Sequence, residues 1–163
     1  MELKITDGIT SSQIQDLINY SNTDGLILKT TRDNTRFKDK SAYDSWSKKN
    51  RKIYTITDEA DKLLGIIWFG VEKIPSEVSG ENKYGITFAI RIYGDARGHG
   101  NAKPFLQEAF RRYKETSEYK ENPAKGFWLE TNSDNLPAVA AYKRFGFEVI
   151  SEENGRILMI LEN

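Results

Sequence analysis

Leu3 and Ile5 alternate with polar neighbours, the period of a short strand. Ile14, Leu17 and Ile18 then share one helical face, and Ser11 or Ser12 is placed to cap that helix. Residues 21–41 are polar and show no period. A second helix is expected over 40–49, where Ala42, Tyr43 and Trp46 fall on one side. The β-branched run 53–57 and the apolar run 63–72 read as two strands joined by the polar turn 58–62.

Residues 75–83 are rich in Pro, Ser, Gly and charge and read as a loop. A strand is expected over 85–93, then a glycine-bearing turn over 94–100. A helix follows over 101–119, with Phe105, Leu106, Ala109, Phe110 and Tyr113 as its apolar face. Residues 126–131 form another strand. A short helix comes next, with Pro137 in its first turn, where a missing N–H costs little, and Gly146 at its end. The last two strands, 147–152 and 156–161, flank Asn154-Gly155, the dipeptide favoured in a type I′ hairpin. The expected order is βααβββαβαββ. That order predicts an α+β fold, a mixed, mostly antiparallel sheet flanked by helices, with a parallel crossover between 85 and 131.

The 163 residues suit a single domain spanning 1–163. Acidic and basic side chains number 24 each, so no net basic field argues for a nucleic-acid partner. The absence of Cys excludes disulfides, thiolate metal sites and a cysteine nucleophile; one His, His99, excludes a multi-histidine metal site. No apolar run approaches the length of a membrane span, and the N-terminal residues lack the apolar stretch of a signal peptide. The expectation is a cytoplasmic protein with no metal and no membrane or nucleic-acid partner.

Two segments could carry chemistry. Gly98 and Gly100 lie between an apolar strand and an amphipathic helix. Such a turn can present backbone N–H groups to a phosphate at a helix N-terminus, and Arg97 could add a charge; it could equally be an ordinary glycine turn. In the second segment Glu130 lies on a strand and Tyr142 on the next helix, where a tyrosine can be core or catalytic.

Together the two segments resemble a known family. Arg97-Gly98-His99-Gly100-Asn101-Ala102 is similar to the Arg/Gln-x-x-Gly-x-Gly/Ala turn of the GCN5-related N-acetyltransferases (GNAT). The stretch 135–147, from Asn135 through Tyr142 to Gly146-Phe147, is similar to that family's Asn-x2-Ala-x3-Tyr-x3-Gly-Phe motif. The resemblance is strong over 84–147 and consistent in strand order elsewhere. It implies a GNAT-like acyl-CoA N-acyltransferase fold with acetyl-CoA as co-substrate. The backbone of 97–102 would hold the pyrophosphate, Ile90 and Ile92 would pair with the pantetheine arm, and Asn135 would contact the cofactor. Tyr142 would protonate the departing CoA sulfur, a task within reach of a phenol of pKa ~10. Lys143 and Arg144 would either reach the 3′-phosphate or remain solvated.

A base must take the proton of the attacking amine. Glu130 is one candidate: Leu129-Glu130-Thr131-Asn132 resembles the Leu-Glu-Val-Arg run of the ribosomal-protein N-terminal acetyltransferases. Glu72 and bulk water are the alternatives. The sequence departs from the family pattern at Asn101, often aliphatic, and at Pro104, which offers no N–H. His99 reads as an exposed residue on the phosphate side.

Residues 24–52 carry nine basic side chains (Lys29, Arg32, Arg36, Lys38, Lys40, Lys48, Lys49, Arg51, Lys52) and four acidic ones (Asp24, Asp33, Asp39, Asp44), a local charge of +5. In the family this segment helps to build the acceptor wall. A basic wall would suit an amine that also carries a carboxylate or phosphate; solvated helix faces are the other reading. The implied activity is acetyl transfer to a primary amine of a small molecule or protein by direct attack in a ternary complex. The alternatives are a catalytically silent acyl-CoA sensor of the same fold and an unrelated phosphate-binding protein. A homodimer is compatible with either.

Overall fold

Strand β1 (Lys4–Asp7) leads into helix α1 (Ser11–Thr23). The residues described by this computed structural model are 2–75 and 83–162. The cap of α1 is Thr10, one residue before the expected serines. Its hydroxyl accepts from the Gln13 amide, while the Gln13 side chain accepts from the Thr10 N–H. Buried Gln13 also donates to the Asp61 carbonyl at 3.1 Å, so a tertiary contact selects this cap.

Residues 21–41 are not irregular throughout. They contain two short helices, α2 (Gly25–Thr30) and α3 (Asp33–Arg36), followed by α4 (Lys40–Ser47). Helices this short show no hydrophobic period, and α2 depends on its cap: Asp24 Oδ1 accepts from the amides of Leu26 and Ile27. Strands β2 (Arg51–Thr57), β3 (Leu63–Val71) and β4 (Tyr84–Ile92) fall close to their expected positions. The loop expected over 75–83 lies, from 76 to 82, outside the described residues.

After a 3₁₀ turn (Gly94–Ala96), the helix expected over 101–119 is broken into α5 (Ala102–Lys114) and α6 (Ser117–Glu121). Thr116 causes the break. Its backbone is extended, and its hydroxyl donates to the Tyr113 carbonyl at 2.6 Å and accepts from the Tyr119 amide at 3.2 Å. Strand β5 (Gly126–Asn132), helix α7 (Leu136–Phe145), β6 (Glu148–Glu153) and β7 (Arg156–Leu161) complete the chain. Asn154 and Gly155 have φ of 53° and 74°, the paired positive values of the expected hairpin turn.

The sheet has seven strands in the order β1-β2-β3-β4-β5-β7-β6. β4 and β5 are parallel, joined through α5 and α6, while the β1–β2, β5–β7 and β6–β7 pairs are antiparallel. Glycine is required where the parallel pair starts. A Cβ on Gly126 would sit 2.6 Å from the Tyr84 ring, and one on Gly85 would sit 2.6 Å from Ala124. β4 pairs with β5 from Tyr84↔Gly126 to Thr87↔Trp128, and β5 pairs with β7 from Phe127↔Leu161 to Asn132↔Arg156.

The chain forms two compact units, residues 1–68 with 90–109, and residues 69–89 with 110–163. In the first, Phe37 and Trp46 meet Trp68 edge-on at 5.8 and 5.1 Å, and Tyr20 stacks on Tyr93 at 4.3 Å. In the second, Phe69 stacks on Tyr113 at 4.1 Å, and Phe110 packs against Phe69, Phe88 and Phe127.

Candidate active site

The end of β4 and the following turn lie in the first unit. Ile90 and Ile92 are half-buried. The Ile90 carbonyl accepts from the Arg91 guanidinium at 3.0 Å, and the Ile92 carbonyl accepts from Arg97 Nε and Nη2 at 3.3 and 3.2 Å. Arg97 Nη2 also lies 2.6 Å from Asp24 Oδ2. The guanidinium that the sequence offers to a phosphate is therefore turned onto Asp24 and the strand end.

The backbone of the turn has a geometry of its own. Gly98 and Gly100 have φ of +82° and +73°, a region that L side chains rarely enter, and nothing lies within 4 Å of a Cβ built on either. Shape demands glycine here, not crowding. Asn101 Nδ2 donates to the Ala96 carbonyl at 2.8 Å and closes the turn, while its own carbonyl accepts from the Phe105 amide and starts α5. The first amides of a helix have no acceptor within it, so those of Ala102 and Lys103 carry the partial positive charge of the α5 N-terminus. Pro104 contributes no donor. His99 is exposed, and Ala102 is the first helical residue.

Two ion pairs to one buried carboxylate brace this unit. Asp33, fully buried, takes a bidentate contact from Arg91 (2.7 and 3.2 Å) and a third from Arg36 at 2.6 Å. Burial pushes its carboxyl up, but the two guanidiniums prevail and hold it below the ordinary range. Arg91 and Arg36 also lie over the Trp68 ring, at 5.1 and 5.8 Å. No motif in the sequence marks Asp24, Asp33 or Arg91 as a partner of the strand end or of the turn. Asp24 and Arg97 are 73 positions apart, and no local pattern announces a partner at that range.

Glu130, Asn135 and Tyr142 belong to the second unit. Glu130 stands on the exposed face of β5, beside buried Leu129, with Oε2 at 3.9 Å from Arg156 Nε. Asn135 occupies the N-cap of α7, yet its side chain makes no capping hydrogen bond. Pro137 removes one of the amides such a cap would use. The Asn135 backbone is fully engaged, donating to Asn132 and accepting from Val139. The Tyr142 ring is 7% exposed, edge-on to Phe88 at 5.9 Å and against Phe147 at 6.1 Å. Those two rings pack against the Tyr142 ring. Glu72 follows β3, exposed; its amide bonds the Gly85 carbonyl, and its carbonyl accepts from the Trp128 indole at 2.8 Å. Lys143 and Arg144 are exposed. Among the described residues no group of three or more His, Cys, Asp or Glu side chains is placed to hold a metal, and no helix is long and apolar enough to cross a membrane.

The mixed sheet, its parallel pair and the glycine turn leading into α5 define an acetyltransferase fold. Residues 26–147 match the acetyltransferase (GNAT) family, and the chain belongs to it. A mycothiol acetyltransferase of Corynebacterium jeikeium (strain K411) is 29% identical over 93 residues, 57% of this chain. The match covers 25% of that relative, so the chain spans about a quarter of its length. Among solved structures, smu.2055 from Streptococcus mutans UA159 superposes with a TM-score of 0.72 at 16% identity, covering 98% of both chains. A spermidine N-acetyltransferase from Vibrio cholerae, in complex with CoA and spermine, superposes with a TM-score of 0.69 at 16% identity, covering 98% of this chain and 94% of that one. At such identities the structural likeness speaks for the fold.

Proposed function

We propose that this protein transfers the acetyl group of acetyl-CoA to a primary amine by direct attack in a ternary complex. The observation that carries this reading is family membership, joined to a turn whose two positive-φ glycines and helix-terminal amides suit a pyrophosphate. Gly98, His99, Gly100, Asn101 and Ala102 bind it through their backbone, with Arg97 setting the start of the turn. Ile90 and Ile92 pair with the pantetheine arm. Asn135, whose side chain makes no capping bond, supplies an amide to the cofactor.

In the transfer, the amine nitrogen forms a bond to the acetyl carbon, the C–S bond breaks, and the sulfur leaves as a thiolate. Tyr142 gives its phenolic proton to that sulfur. Glu130 takes the amine proton, directly or through water, with Glu72 as the next candidate. The chain has no cysteine to form a thioester intermediate, which favours the direct route. The +5 charge of residues 24–52 favours an acceptor bearing a carboxylate or phosphate beside its amine over a polyamine.

Titration calorimetry with acetyl-CoA, using ADP and pantetheine as controls, tests the cofactor half of the reading. Micromolar binding that neither fragment matches is expected. An amine panel scored by CoA release then tests transfer. Binding without release to any amine would replace the enzyme with a silent acyl-CoA sensor. Equal affinity for CoA and simple nucleotides would remove the pantetheine site.

A further inference from the structure

We propose that Asp24 is a positioning residue for the cofactor turn: by holding the Arg97 guanidinium while capping α2, it makes the turn and α2 order as one unit. The inference rests on the reading of residues 97–102 as the cofactor turn. The Asp24 carboxylate has two jobs, divided between its oxygens. Oδ1 accepts from the Leu26 and Ile27 amides at 3.1 and 3.3 Å and starts α2. Oδ2 receives Arg97 Nη2 at 2.6 Å. The same Arg97 fork bonds the Ile92 carbonyl, so the last carbonyl of β4, the residue before Gly98 and the first turn of α2 meet at one ion pair.

This pair is not an ordinary surface bridge. The Asp24 side chain is 8% exposed and that of Arg97 33%. Burial pushes the Asp24 carboxyl up, while Arg97 and the amides of Ile27 and Gly94 bring it below its usual range. Beyond the other end of α2, Asp33 is clamped to Arg91 of β4. Asp24 at the start of α2 and Asp33 at the start of α3 thus fasten this segment to the turn and the strand that would carry the cofactor. A guanidinium already held by a carboxylate is not drawn into the anion site, which leaves the amides of 98–102 as the phosphate ligands. Order gained by the turn on binding passes to α2 through the same pair, and the coupling is reciprocal.

The two jobs of Asp24 separate by substitution. Asn caps helices as well as Asp does but lacks the charge, and its Nδ2 would face Arg97 donor to donor. Glu keeps the charge and caps poorly. Acetyl-CoA affinity is to be measured by titration calorimetry on the whole chain, for the wild type, Asp24→Asn, Asp24→Glu and Asp44→Asn. Asp44 pairs with Lys40 on the exposed side of α4 and serves as the control. Amide exchange over residues 25–30 is followed with and without acetyl-CoA. The expected result is a loss on the order of tenfold in Asp24→Asn, about threefold or less in Asp24→Glu and none in Asp44→Asn. Exchange over 25–30 slows on acetyl-CoA binding in the wild type and not in Asp24→Asn. Arg97→Lys keeps a cation opposite Asp24 but cannot bridge to Ile92; it provides an independent variant with the same expected loss. The inference is overturned if affinity follows capping strength, with Asp24→Asn equal to the wild type and Asp24→Glu weakest. Wild-type protein that gives no heat with acetyl-CoA would instead overturn the cofactor reading of the turn, and this inference with it.

Discussion

At the scale of single residues, Tyr142 is a core position to which the proposed mechanism also gives a proton to donate. Its ring is held by Phe88 and Phe147, and removing the hydroxyl leaves those ring contacts intact. Tyr142→Phe should therefore keep its ring packing, with kcat lower by about a hundredfold, the usual size of one proton transfer, and the KM for acetyl-CoA within about threefold. Steady-state kinetics check this, and unchanged kcat would remove the phenol from the mechanism. Gly100 is a different case, since its φ of +73° is the whole requirement. Gly100→Ala places a side chain in the left-handed region at a cost of about 1–2 kcal/mol, to be read from urea denaturation. Acetyl-CoA affinity should fall with it if the turn relaxes away from that geometry.

At the scale of elements, two features that the pattern of the chain concealed become testable. The break between α5 and α6 depends on Thr116, which satisfies the Tyr113 carbonyl and the Tyr119 amide together. Thr116→Ala should cost about 1 kcal/mol, seen as a lower Tm. The short helices α2 and α3 depend on carboxylates. Asp24 and Asp33 both lie below the usual carboxylate value of 3.8 in the folded protein. A depressed folded pKa contributes stability that is present above the unfolded value and is lost as pH falls through the folded one. Stability should thus be flat above about pH 5 and fall in the acid range below the ordinary carboxylate pKa, with a shallower fall in Asp24→Asn. Urea midpoints measured from neutral pH downward would show it. Matching slopes in the two proteins would mean that Asp24 is not among the groups responsible.

On the scale of the whole molecule, a cofactor that binds only the folded chain must stabilise it by mass action. Acetyl-CoA at about a hundred times its Kd should add about 2.7 kcal/mol, visible as a rise in Tm that depends on ligand concentration. ADP at the same concentration should produce less. The fold was legible in the chain wherever an element is long and its period clean. β3, β4, β5, α4 and the final hairpin lie within a residue or two of their expected positions, because each buries an apolar face or contains a diagnostic turn. α2 and α3 were not legible, since four to six residues hold no period. Asn135 and the turn at 98–101 were legible as motifs, whereas the state of their side chains was not.

The sequence alone determined the order of the strands, the longer helices, the parallel crossover, the glycine turn and the family, since all of these depend on local periodicity, local backbone preference or short fixed spacings. Tertiary structure decided which partner each charged group takes. Arg97 faces Asp24, and Arg91 faces Asp33 across 58 positions, because a carboxylate withdrawn from water is stable only beside a counter-charge. The chain ordered in space, and not the order of residues along it, brings such pairs together.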